Sequence, residues 1–480
     1  MSSRGWVAGA AAGAALALAV ALPAPAHVGE LTGTVEWVDP ESAEAQGAAK
    51  NMVAVGVNDI GGRGFNADVW VHEQHAYVGT WGFSDYASGS KERFCPAPEN
   101  SGVAVLDTRD PSKPRVVSKL QNPAGTSVED VVVYTAPSGP QAGRDIAVAG
   151  IQVCGGPRTD ATFFRGLQVF DVTNPAKPKQ LALMSTGCCS RGLHELEVQH
   201  RTDLGRSFVY ASVPASEYPD AGSPSGRRDH QGKGDFRLID VTNPALPYEV
   251  SNWGVHRNLG GPPAPGLGCD PDPEYGHSAE PRADGKMAWV AYWDSGFVAL
   301  DLSNPANPVY RGRTSYPGDA DGDGHSSNYD EGRKLLFAAD EDFCKTSGSG
   351  TEKGFGYLRV YDYSSLSAPV QIGGYKTPNA SGSKDTQAGD YTIHNPLLSG
   401  TDLYVSWYTD GIRVLDTKDP RNVREVAYFV PPSVNNPIQP SQRGTLTNAT
   451  QVWGVAYDEA RKLVYASDMN SGLWILKRTK

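Results

Sequence analysis

Four histidines and a glutamate stand at matching places in this chain. His194, His277, His325, His394 and Glu129 each precede an alternating apolar run that closes in a turn of the D-x-G-[RK] type. Neutral imidazole is the commonest side-chain ligand for Fe, Cu, Zn or Ni, and a carboxylate beside such ligands can fix their orientation. Brought to one axis, these residues would make a transition-metal centre, with Glu129 behind the ligands. A second candidate lies just ahead of His325. Asp319, Asp321, Asp323 and, after Gly324, Asp330 approximate the alternating oxygens of a calcium loop, although Asp330 stands where a bidentate Glu is usual. Asp270, Asp272 and Glu274 make a weaker echo before His277. The competing reading is a solvated acidic turn.

Those residues need a scaffold, and the scaffold is a repeat. The stretch GLQVFDVTNPAKP, with its aspartate at Asp171, recurs around Asp107, Asp240, Asp301, Asp362 and Asp416, and a truncated copy, GLWILK, closes the chain. Each copy is an alternating run that suits a pleated strand. An Asp able to bond the turn backbone follows it, then prolines that stop the ladder. Similar alternation before and after each copy gives four antiparallel strands per unit, which is one propeller blade. The expected fold is all-β, a seven-bladed β-propeller. The last unit has only three strands of its own, so an N-terminal strand over 51–57 is expected to complete it and leave no open edge.

Units of this form resemble the LVIVD-repeat β-propeller proteins of bacteria. The resemblance runs over about 100–480 and is weakest in the last unit. It implies a secreted or surface-exposed propeller and brings no catalytic residues with it.

Aligned on their inner strands, the units place Ala67, Glu129, His194, His277, His325, His394 and Trp453 at equivalent positions facing the channel. A centre of four histidines from four blades would be similar in principle to the iron centre of carotenoid oxygenases, which the sequence itself does not resemble. The alternative is bracing: in WD-type propellers a Gly-His pair before the inner strand bonds within its own blade, and Gly276-His277-Ser278 and Gly324-His325-Ser326 look comparable. His194 and His394 lack those neighbours. Glu195 and Glu197, two apart on one strand, read as channel or turn polar groups. Trp289, Tyr292, Trp293, Tyr404, Trp407 and Tyr408 read as packing between blades.

The chain opens with an apolar stretch from Trp6 to Leu22 and then Pro-Ala-Pro-Ala, which reads as a secretory signal over 1–26, followed by an extension over 27–50 and one propeller over 51–480. All six cysteines, Cys95, Cys154, Cys188, Cys189, Cys269 and Cys344, fall in loops on one face and suit disulfides in an exported protein, with the connectivity open. His27, at the mature N-terminus, has no identifiable partner for copper. A net charge of -11 and the lack of a Lys/Arg cluster argue against nucleic acid or an anionic membrane. There is no nucleophile elbow, P-loop or dinucleotide fingerprint. Two functions remain. One is a scaffold that binds an extracellular protein, glycan or small molecule through the stapled loops, with a channel metal (Fe, Cu or Zn) and Ca in the acidic loop. The other is an extracellular metal-dependent oxidoreductase.

Overall fold

The computed structural model describes residues 49–84, 93–157, 160–188, 190–216, 232–260, 275–293, 295–316, 322–343, 354–381, 389–434 and 449–480. They form seven sheets of four antiparallel strands each, arranged as the blades of a propeller. The innermost strands are Asn66–His72, Val131–Thr135, Leu196–Arg201, Gly276–Pro281, Gly324–Asp330, Pro396–Ser399 and Val452–Asp458, in blades one to seven. Each packs against the next, and that of blade seven packs against that of blade one. Closure is as expected: Met52–Asn58 pairs with Gly472–Arg478 as the outer strand of blade seven. Short strands add to these: Ala49–Lys50 at the outer edge of blade six, Thr126–Ser127 against Asp145–Val153, and the pair Phe83–Ser84 and Arg93–Phe94. The proposed signal over 1–26, and His27, lie outside the described residues.

The repeated aspartate does the same work in six blades. One carboxylate oxygen of Asp107, Asp171, Asp240, Asp301, Asp362 and Asp416 accepts from the backbone N–H two residues on, at 2.8–3.1 Å. This turn stops the third strand. A β-bulge follows at the same register in each fourth-strand pairing, for example between Val169 and Phe170 and between Leu238 and Ile239. The turn then leans on the preceding blade's outer strand. Ser118 and Ser251 donate to the carbonyls of Pro175 and Pro305 there. Gly312 and Gly373 take the same position against blades five and six, where any Cβ would overlap the carbonyl of Leu366 or Pro420.

The core lies between blades, not on the axis. Blades five and six share Phe337, Val360, Trp407 and Leu415. Blades four and five share Trp289, Phe297, Leu336 and Tyr361. Each such large side chain contributes about 1.5–3 kcal/mol on burial. The channel is thereby left to residues chosen for something other than packing.

Candidate metal centre

Two consecutive residues at the head of each inner strand face the channel, because a bulge sits there. In blade three, Ser212 opposes both His194 and Glu195: its carbonyl accepts from the His194 N–H and its N–H donates to the Glu195 carbonyl, both at 2.9 Å. In blades four, five and seven the extra residue is His277, His325 and Trp453. A bulge re-aims a side chain that strict alternation would turn away. Here it stacks two tiers along the axis. The upper is Ala67, Glu129, His194, His277, His325, His394 and Trp453. The lower contains Asp68, Asp130, Glu195, Ser278, Ser326 and Asn395.

All four histidines therefore meet. Successive ring centroids are 4.2 Å apart from His194 to His277, 3.9 Å to His325 and 4.1 Å to His394, and Trp453 follows at 4.5 Å. Nδ1 of His277, Nδ1 of His325 and both ring nitrogens of His394 are buried with no partner in good hydrogen-bond geometry, while the His325 and His394 rings lean on the backbone of His394 and Trp453. Serines do the bracing, with Ser278 donating to the His325 carbonyl and Ser326 to the His394 carbonyl, both at 2.7 Å.

Proton placement follows from Glu129. Its Oε2 lies against His194 Nδ1 and accepts from Gln152 Nε2 at 2.9 Å, the same amide nitrogen being 2.8 Å from His194 Nδ1 and directing its hydrogens to the carboxylate. A carboxylate there holds the His194 hydrogen on Nδ1 and leaves a lone pair on Nε2. That Nε2 is 2.7 Å from His277 Nε2, which must then be the donor. His277 is left with a bare Nδ1, 3.6 Å from Glu195 Oε1. His325 Nε2 is 3.7 Å from the same Glu195 oxygen and 3.5 Å from Glu341 Oε2. His394 Nε2 is 3.9 Å from Glu341 Oε1. Burial first, and then neighbouring imidazoles, push His277 and His325 well below the ordinary imidazole range. Burial does the same to His394.

These separations are too long for hydrogen bonds. They fit two ligands of one ion: atoms each about 2.1 Å from a metal and about 110–130° apart about it are about 3.4–3.8 Å from one another. Donor atoms of Glu195, His325 and His394, and likewise of His277, His325 and Glu341, lie within 4.8 Å of one another, and the two groups share His325. They describe one nitrogen-rich centre with two carboxylates.

Sequence reading found the histidines and Glu129 but not Glu341, Gln152 or Tyr408. These come from the ends of second strands. Glu341 directly follows Leu335–Asp340, and Tyr408, whose hydroxyl donates to Glu341, shortly follows Asp402–Ser406. An acid at the end of an apolar run was the only signal for Glu341. Trp293 and Tyr408, expected between blades, instead reach the channel, 5.4 Å from His277 and 5.3 Å from His394. Trp289, Tyr292, Tyr404 and Trp407 do pack between blades. Glu197 and Glu195 both line a cavity of about 120 Å³ below the histidines.

The calcium-loop reading is corrected in one respect. Asp330 lies at the far end of Gly324–Asp330, where it pairs with Arg333 at 2.7 Å, so it and Asp323 cannot share an ion. Asp319 and Asp321 lie outside the described residues, as do Asp270, Asp272 and Glu274. Cys95 pairs with Cys154, joining the loops of blades one and two, and Cys188 is also disulfide-bonded. Cys189, Cys269 and Cys344 lie outside the described residues. No helix among the described residues is long and apolar enough to cross a membrane. Comparison with known families finds the LVIVD repeat at residues 276–315, which is blade four. No curated protein matches the chain.

Proposed function

We propose that this LVIVD-repeat propeller is an exported metalloprotein that holds a transition-metal ion in its channel and presents its looped face to a partner. His277, His325 and His394 bind the ion, with Glu341 and Glu195 completing the shell and His194 and Glu129 fixing the His277 tautomer. One observation carries the reading: buried imidazole nitrogens and carboxylate oxygens face one another at 3.5–3.9 Å, too far apart for good hydrogen bonds. Leaving such groups unpaired costs about 1–3 kcal/mol each, and an ion between them removes that cost. A nitrogen-rich set with two carboxylates suits Fe, Zn or Cu. The Cys95–Cys154 disulfide supports export to an oxidising compartment.

A second reading, an oxidoreductase, is favoured by the wall beside the ion. Trp453, Trp81, Phe65 and Phe83 form an aromatic cluster next to His394, and such an apolar surround excludes water and tunes the redox potential of a bound metal.

The test is elemental mass spectrometry of protein purified without chelator, beside a His325→Ala/His394→Ala variant. Near-stoichiometric Fe, Cu or Zn in the parent, absent from a folded variant, is the expected result. A parent free of transition metal would overturn the reading. Turnover lost along with the metal would select the enzyme, and partner capture retained without it would select the scaffold.

A further inference from the structure

The lower tier of the channel differs chemically from the upper. It is rich in oxygens: Asp68 and Glu195 of this tier, together with Glu129 of the upper one, each place a carboxylate oxygen within 4.8 Å of the others. An acidic cluster alone would mean little, but this one leaves oxygens unanswered. Glu129 Oε1 and Glu195 Oε1 are buried and accept no hydrogen bond, and neither does the neighbouring amide oxygen of Asn395. Asn395 turns its nitrogen to Asp68, donating at 2.9 Å, and so keeps that oxygen free. Asp130, one residue from Glu129, is different: its Oδ2 accepts from the Leu196 N–H at 2.8 Å and serves the backbone.

The cavity beneath offers room and no counter-charge. Its lining includes Asp68, Asp130, Glu195, Glu197 and Glu280, with no lysine or arginine among the described residues that line it. Buried carboxylates without a cation are costly. We infer that Asp68, Glu129, Glu195 and the Asn395 carbonyl bind a hard cation, Ca2+, below the histidines. The chemistry decides the ion. All four donors are oxygens, one of them a neutral amide. Three carboxylates and a neutral amide oxygen are a donor set that calcium takes, whereas magnesium keeps several waters and binds through one or two carboxylates. Water in the cavity would fill the remaining positions.

This site does not rest on the transition-metal reading, and the experiment separates the two. Full-length protein stripped by chelator is titrated with calcium alone, by calorimetry and by melting temperature, as are Asp68→Asn and His325→Ala/His394→Ala. The expected result is one calcium per chain and a raised melting temperature for the parent. The histidine variant should behave likewise. In Asp68→Asn affinity should weaken at least tenfold while its melting temperature in chelator stays at the parental value, which shows that it folds. No uptake by the parent at millimolar calcium would overturn the inference. So would uptake unchanged in Asp68→Asn, which would place the ion elsewhere, or magnesium or manganese binding in preference to calcium.

Discussion

Blades five and six meet twice, and the two meetings are made on opposite terms. In their seam, Phe337, Val360, Trp407 and Leu415 are fully buried, and the Trp407 indole donates to the Tyr391 carbonyl at 2.7 Å. On the axis, the same blades bury His325, Glu341 and His394, and leave Nδ1 of His325 and both ring nitrogens of His394 without a hydrogen-bond partner. The seam holds the fold together by itself. The channel leaves polar atoms that an ion would satisfy. Selection for folding alone would fill the channel as it fills the seam, so the difference marks where the function lies.

That contrast can be broken from the seam first. Trp407→Ala should cost about 3–5 kcal/mol in denaturant titrations, because a large cavity opens and Tyr391 loses a donor. Gly373→Ala should cost about 1–3 kcal/mol by forcing the outer strand of blade five off the Pro420 turn. Asp416→Ala should cost about 1 kcal/mol, since one turn bond is lost and the Arg424 pair at 3.5 Å is exposed. The channel should answer in the reverse sense: with no metal present, His325→Ala/His394→Ala should melt at or above the parental temperature, because it deletes unpaired polar groups. Marked destabilisation of the metal-free double variant would place the histidines with the seam.

Acidity sharpens the contrast further. Burial pushes the Glu280 carboxyl up to about 8 from an ordinary value of 4.5. Glu197 is also raised, mainly by burial and next by Glu280. A raised carboxyl keeps its proton in the folded chain after the unfolded chain has released it. Metal-free protein should therefore lose stability as pH rises from about 4.5 to about 8, and Glu280→Gln should flatten that loss in melting curves. An equal slope in the variant would show that this tier does not set the pH response.

The fold was legible because its signals are local and repeated. Asp171 and its five counterparts announce a strand end wherever they occur, and alternation supplies the remaining strands. The histidine positions were legible through the same ruler. The lower tier was not, because alternation assigns one side chain of each adjacent pair to the channel, and only the bulge at Ser212 brings Glu195 in beside His194. Glu341 and Tyr408 were missed because they come from a different strand of the blade and repeat no motif. The calcium-loop reading extended to Asp330 because spacing along a chain cannot tell a closed loop from the two ends of an extended strand.

The central claim is that the histidine tier encloses an ion. Anomalous diffraction from crystals of protein purified without chelator, recorded on either side of the absorption edges of Fe, Cu and Zn, tests it most directly. The account predicts one strong peak among His277 Nδ1, His325 Nε2 and Glu341. Crystals without a peak there, in which ordered water joins those atoms by hydrogen bonds, would contradict it.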